Sequence, residues 1–275
     1  MFTNHQSPIN TMLATIQTQQ IRSIRTGKLE VRLATTLAEL DAAMRLRFEV
    51  FNLELHEGLS SSYERGYDKD PYDAYCDHLI VEDLELGEIV GTYRLLRQNV
   101  AERNIGFYSE NEFDLSDLKQ AAKAAGGTLL ELGRSCISET HRSFATINLL
   151  WNAIVRYAAE HNVTHLFGCG SLHLADEAQV QQVYAYLKFR HFAAEEFRVY
   201  PLASCRMPAC DETEVVVDSR SAMKLISPIL KGYLRTGAVV CGAPAYDEEF
   251  GTADVLVLMD MSKLADRYRQ HYSSE

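Results

Sequence analysis

Charged side chains stand inside apolar sequence at five places in this chain. Arg47 and Phe51 lie in Arg47-Phe48-Glu49-Val50-Phe51, Asp70 and Asp73 in Asp70-Pro71-Tyr72-Asp73, and Arg94 in Gly91-Thr92-Tyr93-Arg94-Leu95-Leu96. Glu131 and Arg134 share Leu130-Glu131-Leu132-Gly133-Arg134, and Asp254 ends Phe250-Gly251-Thr252-Ala253-Asp254. Any one of these residues is read first as part of a solvated face or as half of a structural ion pair. Taken together they point further, because opposite charges on apolar strands must be paired to be tolerated inside. A cleft lined by arginines and carboxylates suits a zwitterionic substrate.

Other chemistries have weaker signals. Gly168-Cys169-Gly170-Ser171 is not the Gly-x-Ser-x-Gly turn of a serine nucleophile. His161 and His165 are spaced like zinc ligands but straddle a helix end and lack the neighbouring Glu of a zinc protease. Neither a phosphate-binding Walker loop nor a dinucleotide glycine fingerprint is present. Cys76, Cys136, Cys169 and Cys241 are scattered, mostly in apolar surroundings, and Cys205 and Cys210 have no second ligand pair. Reduced structural thiols and no metal are expected.

Composition narrows the class. The 275 residues are 47% hydrophobic and 24% charged, which is ordinary globular usage. With 27 basic and 38 acidic residues the net charge is −11, the opposite of a nucleic-acid-binding balance. No run of about 18 apolar residues offers a spanning helix. Met1 to Gln20 is polar and has no continuous apolar segment of a secretory signal, so a cytosolic protein is expected. Residues 1–28 hold Arg22, Arg25 and Lys28 with no acidic residue, and are read as a basic arm with Ile9, Met12, Leu13 and Ile16 at helical spacing.

The elements that must position the charged residues follow from periodicity. A strand is expected at 29–34 and a helix to about 52, capped at Thr35 with Glu39 near the capping-box position. An acidic, aromatic loop, 54–77, precedes an antiparallel pair, 78–83 and 88–96. A helix at 113–125 ends at Gly126-Gly127. Strand 128–137, helix 147–161, strand 165–169 and helix 175–189 form a βαβα unit, which makes the two strands parallel neighbours. A strand near 214–217, a helix from 221 to 235, a strand at 254–259 and a helix from 262 complete the chain. The expected organisation is a basic arm, 1–28, and one mixed α/β domain, 29–275.

The five charged stretches, in this order, resemble the acyltransferase superfamily that includes the GNAT acetyltransferases. The first four follow the charged pattern of acyl-homoserine-lactone synthases. The span from about Val31 to Met259 resembles the L-ornithine Nα-acyltransferases more closely, a branch often labelled hemolysin-like. The pieces that carry this are Thr146-Ile147-Asn148-Leu149-Leu150-Trp151, Leu166-Phe167-Gly168-Cys169-Gly170-Ser171-Leu172, Pro228-x-Leu230-Lys231-Gly232-Tyr233-Leu234-Arg235-x-Gly237-Ala238 and Phe250-Gly251-Thr252-Ala253-Asp254. The last two are absent from the lactone synthases. CoA-using acetyltransferases have a glycine-rich turn whose amides hold the pyrophosphate at a helix N-terminus. Here that turn reads His141-Arg142-Ser143-Phe144-Ala145-Thr146, without glycine, which agrees with a carrier-protein thioester as donor.

The resemblance implies a GNAT-like mixed central sheet flanked by helices, with two parallel central strands that splay apart. It implies transfer of a (3-hydroxy)fatty acyl group from acyl carrier protein to the α-amine of L-ornithine, with the thioester as co-substrate and no cofactor. Glu131 is then the expected base, directly or through water, with an ion pair to Arg134 as the competing or additional role. Arg47 and Arg94 would grip the amino-acid carboxylate or order the acidic loop, and Asp70 and Asp73 would meet an ammonium group. Phe51 and Asp254 belong to the substrate-binding set. Tyr184 and Tyr186 are candidates to protonate the leaving thiolate, against a packing role for either. Competing functions are a lactone synthase using S-adenosylmethionine, an N-acyl amino acid synthase for another amino acid, and a catalytically silent carrier-binding module. The basic arm is an expected contact for the acidic carrier or for a membrane surface.

Overall fold

A computed structural model describes residues 23–172, 176–211 and 218–263. In chain order the elements are β1 (Ile24–Thr26), β2 (Leu29–Leu33), α1 (Leu37–Phe48), β3 (Asp77–Asp83), β4 (Glu88–Arg97), β5 (Phe113–Asp114), α2 (Ser116–Ala124), β6 (Leu129–Ile137), α3 (Phe144–Glu160) and β7 (His165–Leu172). There follow α4 (Glu177–His191), β8 (Tyr200–Pro201), α5 (Ser219–Leu225), α6 (Pro228–Thr236), β9 (Val239–Val240), β10 (Ala245–Asp247) and β11 (Thr252–Asp260). The architecture is a GNAT-like mixed sheet of antiparallel and parallel strands flanked by helices. The chain divides into two compact units, Met1–Gly106 with Leu132–His161 and Phe107–Glu131 with Asn162–Glu275. Their boundary falls inside β6, between Glu131 and Leu132.

In the first unit β1, β2, β3 and β4 pair antiparallel in sequence order, and β6 is the next neighbour of β4. Thr36, one residue later than expected, caps α1. Its hydroxyl accepts from the Glu39 amide while the Glu39 carboxylate accepts from the Thr36 amide. Helix α1 turns Leu40, Ala43, Met44, Leu46 and Arg47 inward and runs into a π-helical turn, Glu49–Glu54. The acidic loop that follows holds two short helices, Ser62–Arg65 and Pro71–Ala74. The arm joins the sheet before residue 29, because β1 pairs with β2. Arg25 pairs with Glu30 and Lys28 with Asp83, so two of the arm's three charges are committed within this unit. Residues 1–22, Arg22 and the apolar stripe included, lie outside the described residues.

In the second unit β6 pairs in parallel with β7, from Leu129↔His165 to Glu131↔Phe167, as the βαβα reading requires. Strand β7 pairs antiparallel with β11, and β11 with β10 and β9. Strand β11 is buried from Thr252 to Met259, and its apolar run suits a strand covered on both faces. Two expectations shift here. Phe113–Asp114 is a strand paired with β8 and the helix starts only at Ser116. The single helix expected at 221–235 is two helices, because Ser227 precedes a proline and is held extended. Pro228 then opens α6 at its first turn, and Gly237, left-handed with φ 99°, closes it. The strand expected at 214–217 and most of the last helix lie outside the described residues.

Candidate active site

In the first unit four stretches meet around Arg47, whose side chain is buried on α1. Its Nη1 donates to Asp73 Oδ1 at 2.7 Å and its Nη2 to Asp73 Oδ2 at 3.0 Å, a two-pronged pair. Nη2 also donates to Asp68, through both the carboxylate and the backbone carbonyl. Arg94 on β4 donates to Asp70 Oδ2 at 2.7 Å and to Asp73 Oδ1 at 3.3 Å. Arg134 on β6 donates to Asp70 Oδ2 at 3.0 Å and lies 3.5 Å from Asp68. Three arginines and three aspartates therefore share one buried network. Asp70 and Asp73 also cap the short helix between them, since Asp70 accepts from the Tyr72 amide and Asp73 from the Asp70 amide.

Burial opposes the charges of Arg47, Arg94, Asp70 and Asp73, yet their partners win. Asp73 is desolvated, but Arg47 and Arg94 hold its carboxyl far below the usual range. Asp70 is held low by Arg94 and Arg134 against burial and the repulsion of Asp73. His78, buried, donates from Nε2 to the Asp73 carbonyl at 3.1 Å. Burial, aided by the Arg47 charge, keeps it below the ordinary histidine value. Arg134 adopts φ 49° inside a strand, a conformation that costs a non-glycine residue of order 1–3 kcal/mol. Its contacts to Asp68 and Asp70 hold it there.

The second unit holds a group of carboxylates. Glu131, buried on β6, stands at the last pair of the β6–β7 ladder. Its Oε2 accepts from the Tyr108 amide at 2.7 Å, and its Oε1 from the Ser109 amide at 2.8 Å and the Ser109 hydroxyl at 2.6 Å. Such donors favour an ionised carboxylate and fix its direction. The Cys169 thiol on β7 donates to Ser109 Oγ at 3.3 Å and lies 3.6 Å from Glu112 Oε2. Asp254 on β11 accepts from the Thr252 hydroxyl at 2.8 Å. Asp247 receives the amides of Glu249 and Phe250 in the β10–β11 turn, where Gly251 takes φ 66°. Burial raises the Glu112 carboxyl to about 9, and Asp254, Asp247 and Glu131 add to the effect. Burial, with Glu112 and Asp254, lifts the Cys169 thiol well above its usual value. Glu112, Cys169 and Asp254 each place one ligand atom within 4.8 Å of the others', a cation-sized set of donors.

The structure thus brings together Arg47, Asp70, Asp73, Arg94 and Arg134, and adds Asp68 and His78. It places Glu131 and Asp254 in the other unit, with Ser109, Glu112, Cys169 and Asp247. Phe51 is half-buried and packs against Leu46, Val50 and Cys136. Tyr184 and Tyr186 are both buried on α4, and the Tyr186 ring lies tilted against His191 with centroids 5.9 Å apart. The residues missed from sequence had little signal. Asp68 lies in a loop without a period, and Glu112 stands just before a segment read as helix.

Comparison with known proteins follows the same lines. Residues 46–152 match the model of an acetyltransferase (GNAT) domain. The L-ornithine Nα-acyltransferase of Brucella abortus is 37% identical over 260 residues, covering 91% of each chain. That of Rhodobacter capsulatus is 36% identical over 250 residues, covering 89% of this chain and 94% of its own. The N-acyl amino acid synthase FeeM from uncultured soil microbes superposes with a TM-score of 0.52 at 11% identity, covering 88% of this chain and 94% of its own. That likeness speaks for the fold.

Proposed function

Since the chain belongs to the L-ornithine Nα-acyltransferase family, we propose that it moves a (3-hydroxy)fatty acyl group from an acyl-carrier-protein thioester to the α-amine of L-ornithine, giving a lyso-ornithine lipid. The observation that carries the reading is the 37% identity along 91% of both chains. The amine nitrogen attacks the thioester carbonyl, the C–N bond forms and the C–S bond breaks. The ammonium loses one proton before attack and the new C–N nitrogen loses a second as the amide forms; one of the two goes to the departing thiolate and the other to solvent. No covalent enzyme intermediate is needed; the protein aligns two substrates and moves protons.

Glu131 is the proposed base. A base must start ionised, and three hydrogen bonds from Tyr108 and Ser109 favour that state. Backbone amides beyond the end of the β6–β7 ladder would stabilise the oxyanion. Arg47 and Arg94 order the acidic loop in this reading, the alternative the ion-pair network supports, and Arg134 shares that role. Tyr184 and Tyr186 remain proposed sources of the returning proton.

The carrier-protein donor is supported by the start of α3. Ser143 caps it, its hydroxyl accepting from the Thr146 amide at 3.2 Å, and no glycine opens a cradle for a pyrophosphate there. A docking face for an acidic carrier must be locally basic; Arg22 and its neighbours in the arm are the proposed contact, for the carrier or for an anionic membrane. Among the described residues no helix is long and apolar enough to cross a membrane.

Product analysis tests the whole reading. The full chain is incubated with acyl-carrier or acyl-CoA thioesters and a panel of amino acids, with S-adenosylmethionine as a further acceptor. Acyl-ornithine as the main product, made faster from the carrier thioester, is the expected result. Acyl-homoserine lactone, or equal specificity constants for the two donors, would overturn the corresponding part.

A further inference from the structure

Glu112 is a member of the second unit's charge cluster whose position the reaction above does not explain. It is 4% exposed, and its Oε1 has no hydrogen-bond partner among the described residues. Its Oε2 has only the long contact from the Cys169 thiol. The charges that bear on it most are those of Asp254, Asp247 and Glu131, all negative. A buried carboxylate left this way costs free energy unless something supplies donors and positive charge.

Geometry says what would fit. A primary ammonium donating three N–H bonds of about 2.8 Å along tetrahedral directions sets its acceptors about 4.6 Å apart. Glu112, Cys169 and Asp254 offer three acceptor atoms, none farther than 4.8 Å from the others, with Glu112 Oε2 and Cys169 Sγ 3.6 Å apart. A zinc ion, with ligands at about 2.0–2.3 Å, would set them about 3.3–3.8 Å apart, a spacing the Glu112–Cys169 pair already has, so the choice between the two rests on the test below. The cluster has an entrance, because Cys169, Gly170 and Ser171 on β7 are only half-buried while Glu112 and Asp254 are buried. It is also tied to Glu131. The Ser109 hydroxyl donates to Glu131 and accepts from the Cys169 thiol, which reaches Glu112.

We propose that Glu112, with Asp254 and Cys169, is the subsite for the side-chain ammonium of the amino-acid acceptor and so selects a diamino acid. The inference rests on the acyl-transfer reading for its substrate. An α-amine beside Glu131 and a second ammonium beside Glu112 are joined by the α-carbon and three methylene groups in ornithine. An uncharged side chain would leave Glu112 buried and unpaired, which is a stronger rejection than a lost methylene gives. Glycine at position 170 fits this packing. A Cβ there would press on the Val257 side chain at 3.1 Å and disturb the strand that carries Cys169.

The test compares L-ornithine with L-norvaline, its analogue lacking the side-chain nitrogen, in the full chain and in Glu112→Gln. The wild type should favour ornithine by about 10²-fold or more in kcat/KM. Glu112→Gln should lower kcat/KM for ornithine about 10–100-fold, mainly through KM, while leaving norvaline within about threefold. Asp254→Asn should shift the ratio the same way. An unchanged ornithine-to-norvaline ratio in a folded Glu112→Gln protein would overturn the subsite while leaving the reaction intact. Binding is read without turnover by thermal unfolding with ornithine, norvaline or Zn²⁺ added. Ornithine should raise Tm in the wild type and not in Glu112→Gln. That result in a protein that makes no acyl-ornithine would sink the reaction but keep the subsite. Stabilisation by Zn²⁺ and none by ornithine would replace the ammonium site with a metal site.

Discussion

Around Arg47 three guanidinium groups face three aspartates, whereas around Glu112 four carboxylates gather with a thiol. Both groups of residues are buried, so burial alone does not separate them. In the first, each aspartate is met by at least one arginine at hydrogen-bond distance. In the second, burial and then the neighbouring carboxylates push the Glu112 carboxyl up to about 9. The difference teaches where function resides in a family of charged motifs. A network that neutralises itself holds architecture, here the acidic loop against α1, β4 and β6. In the other group Glu112 Oε1 has no hydrogen-bond partner among the described residues, and Glu112 is the group proposed to meet a substrate ammonium.

The largest test of this contrast is Arg47→Met. It leaves Asp68 and Asp73 buried without their main partner and should cost about 3–5 kcal/mol of stability. That is a large fraction of a typical domain's total. Chemical denaturation measures it, and a loss under about 1 kcal/mol would return Arg47 to the substrate-binding set. Next in size is Glu131→Gln, which keeps volume and hydrogen-bonding shape. Turnover should fall about 10²-fold or more, in line with general-base contributions, with the fold retained. Near-normal rates in the folded variant would move the base elsewhere.

The smallest effect is the most diagnostic, because the two clusters should respond to pH with opposite sign. Asp70 and Asp73 have folded pKa values below their unfolded ones. Their stabilisation is present above about pH 4 and is lost as pH falls below it. Glu112 has its folded value raised to about 9. Its cost is absent below about pH 4, grows as pH rises and is complete near 9. Glu112→Gln should therefore stabilise the ligand-free protein at pH 7, by about 1–3 kcal/mol, and give no gain near pH 4. Unfolding midpoints at the two pH values read this directly, and an equal effect at both would remove the electrostatic explanation.

Much of this was legible in the order of residues. The capping box of α1, the hairpin of β3 and β4, the parallel β6–α3–β7 unit and the apolar run of β11 are written in local periodicity. Local periods reach neighbours a few residues away, and these elements need nothing more. Pro228 shows the limit of reading by apolar spacing alone, since the spacing continues through a residue whose ring excludes a continuous helix. The charged motifs were legible as a set, because ionisable residues in apolar strands are costly and therefore few.

Their partition was not legible. Glu131 and Arg134 stand three residues apart, yet one is held by Tyr108 and Ser109 and the other by Asp68 and Asp70. Asp68 meets Arg47 from 21 residues away, and Cys169 reaches Glu112 across 57. Sequence alone determined which residues could carry charge into the interior and which elements would hold them. Only the tertiary structure decided which charges cancel and which do not, because that depends on distances of a few ångströms between segments that the chain brings together by folding.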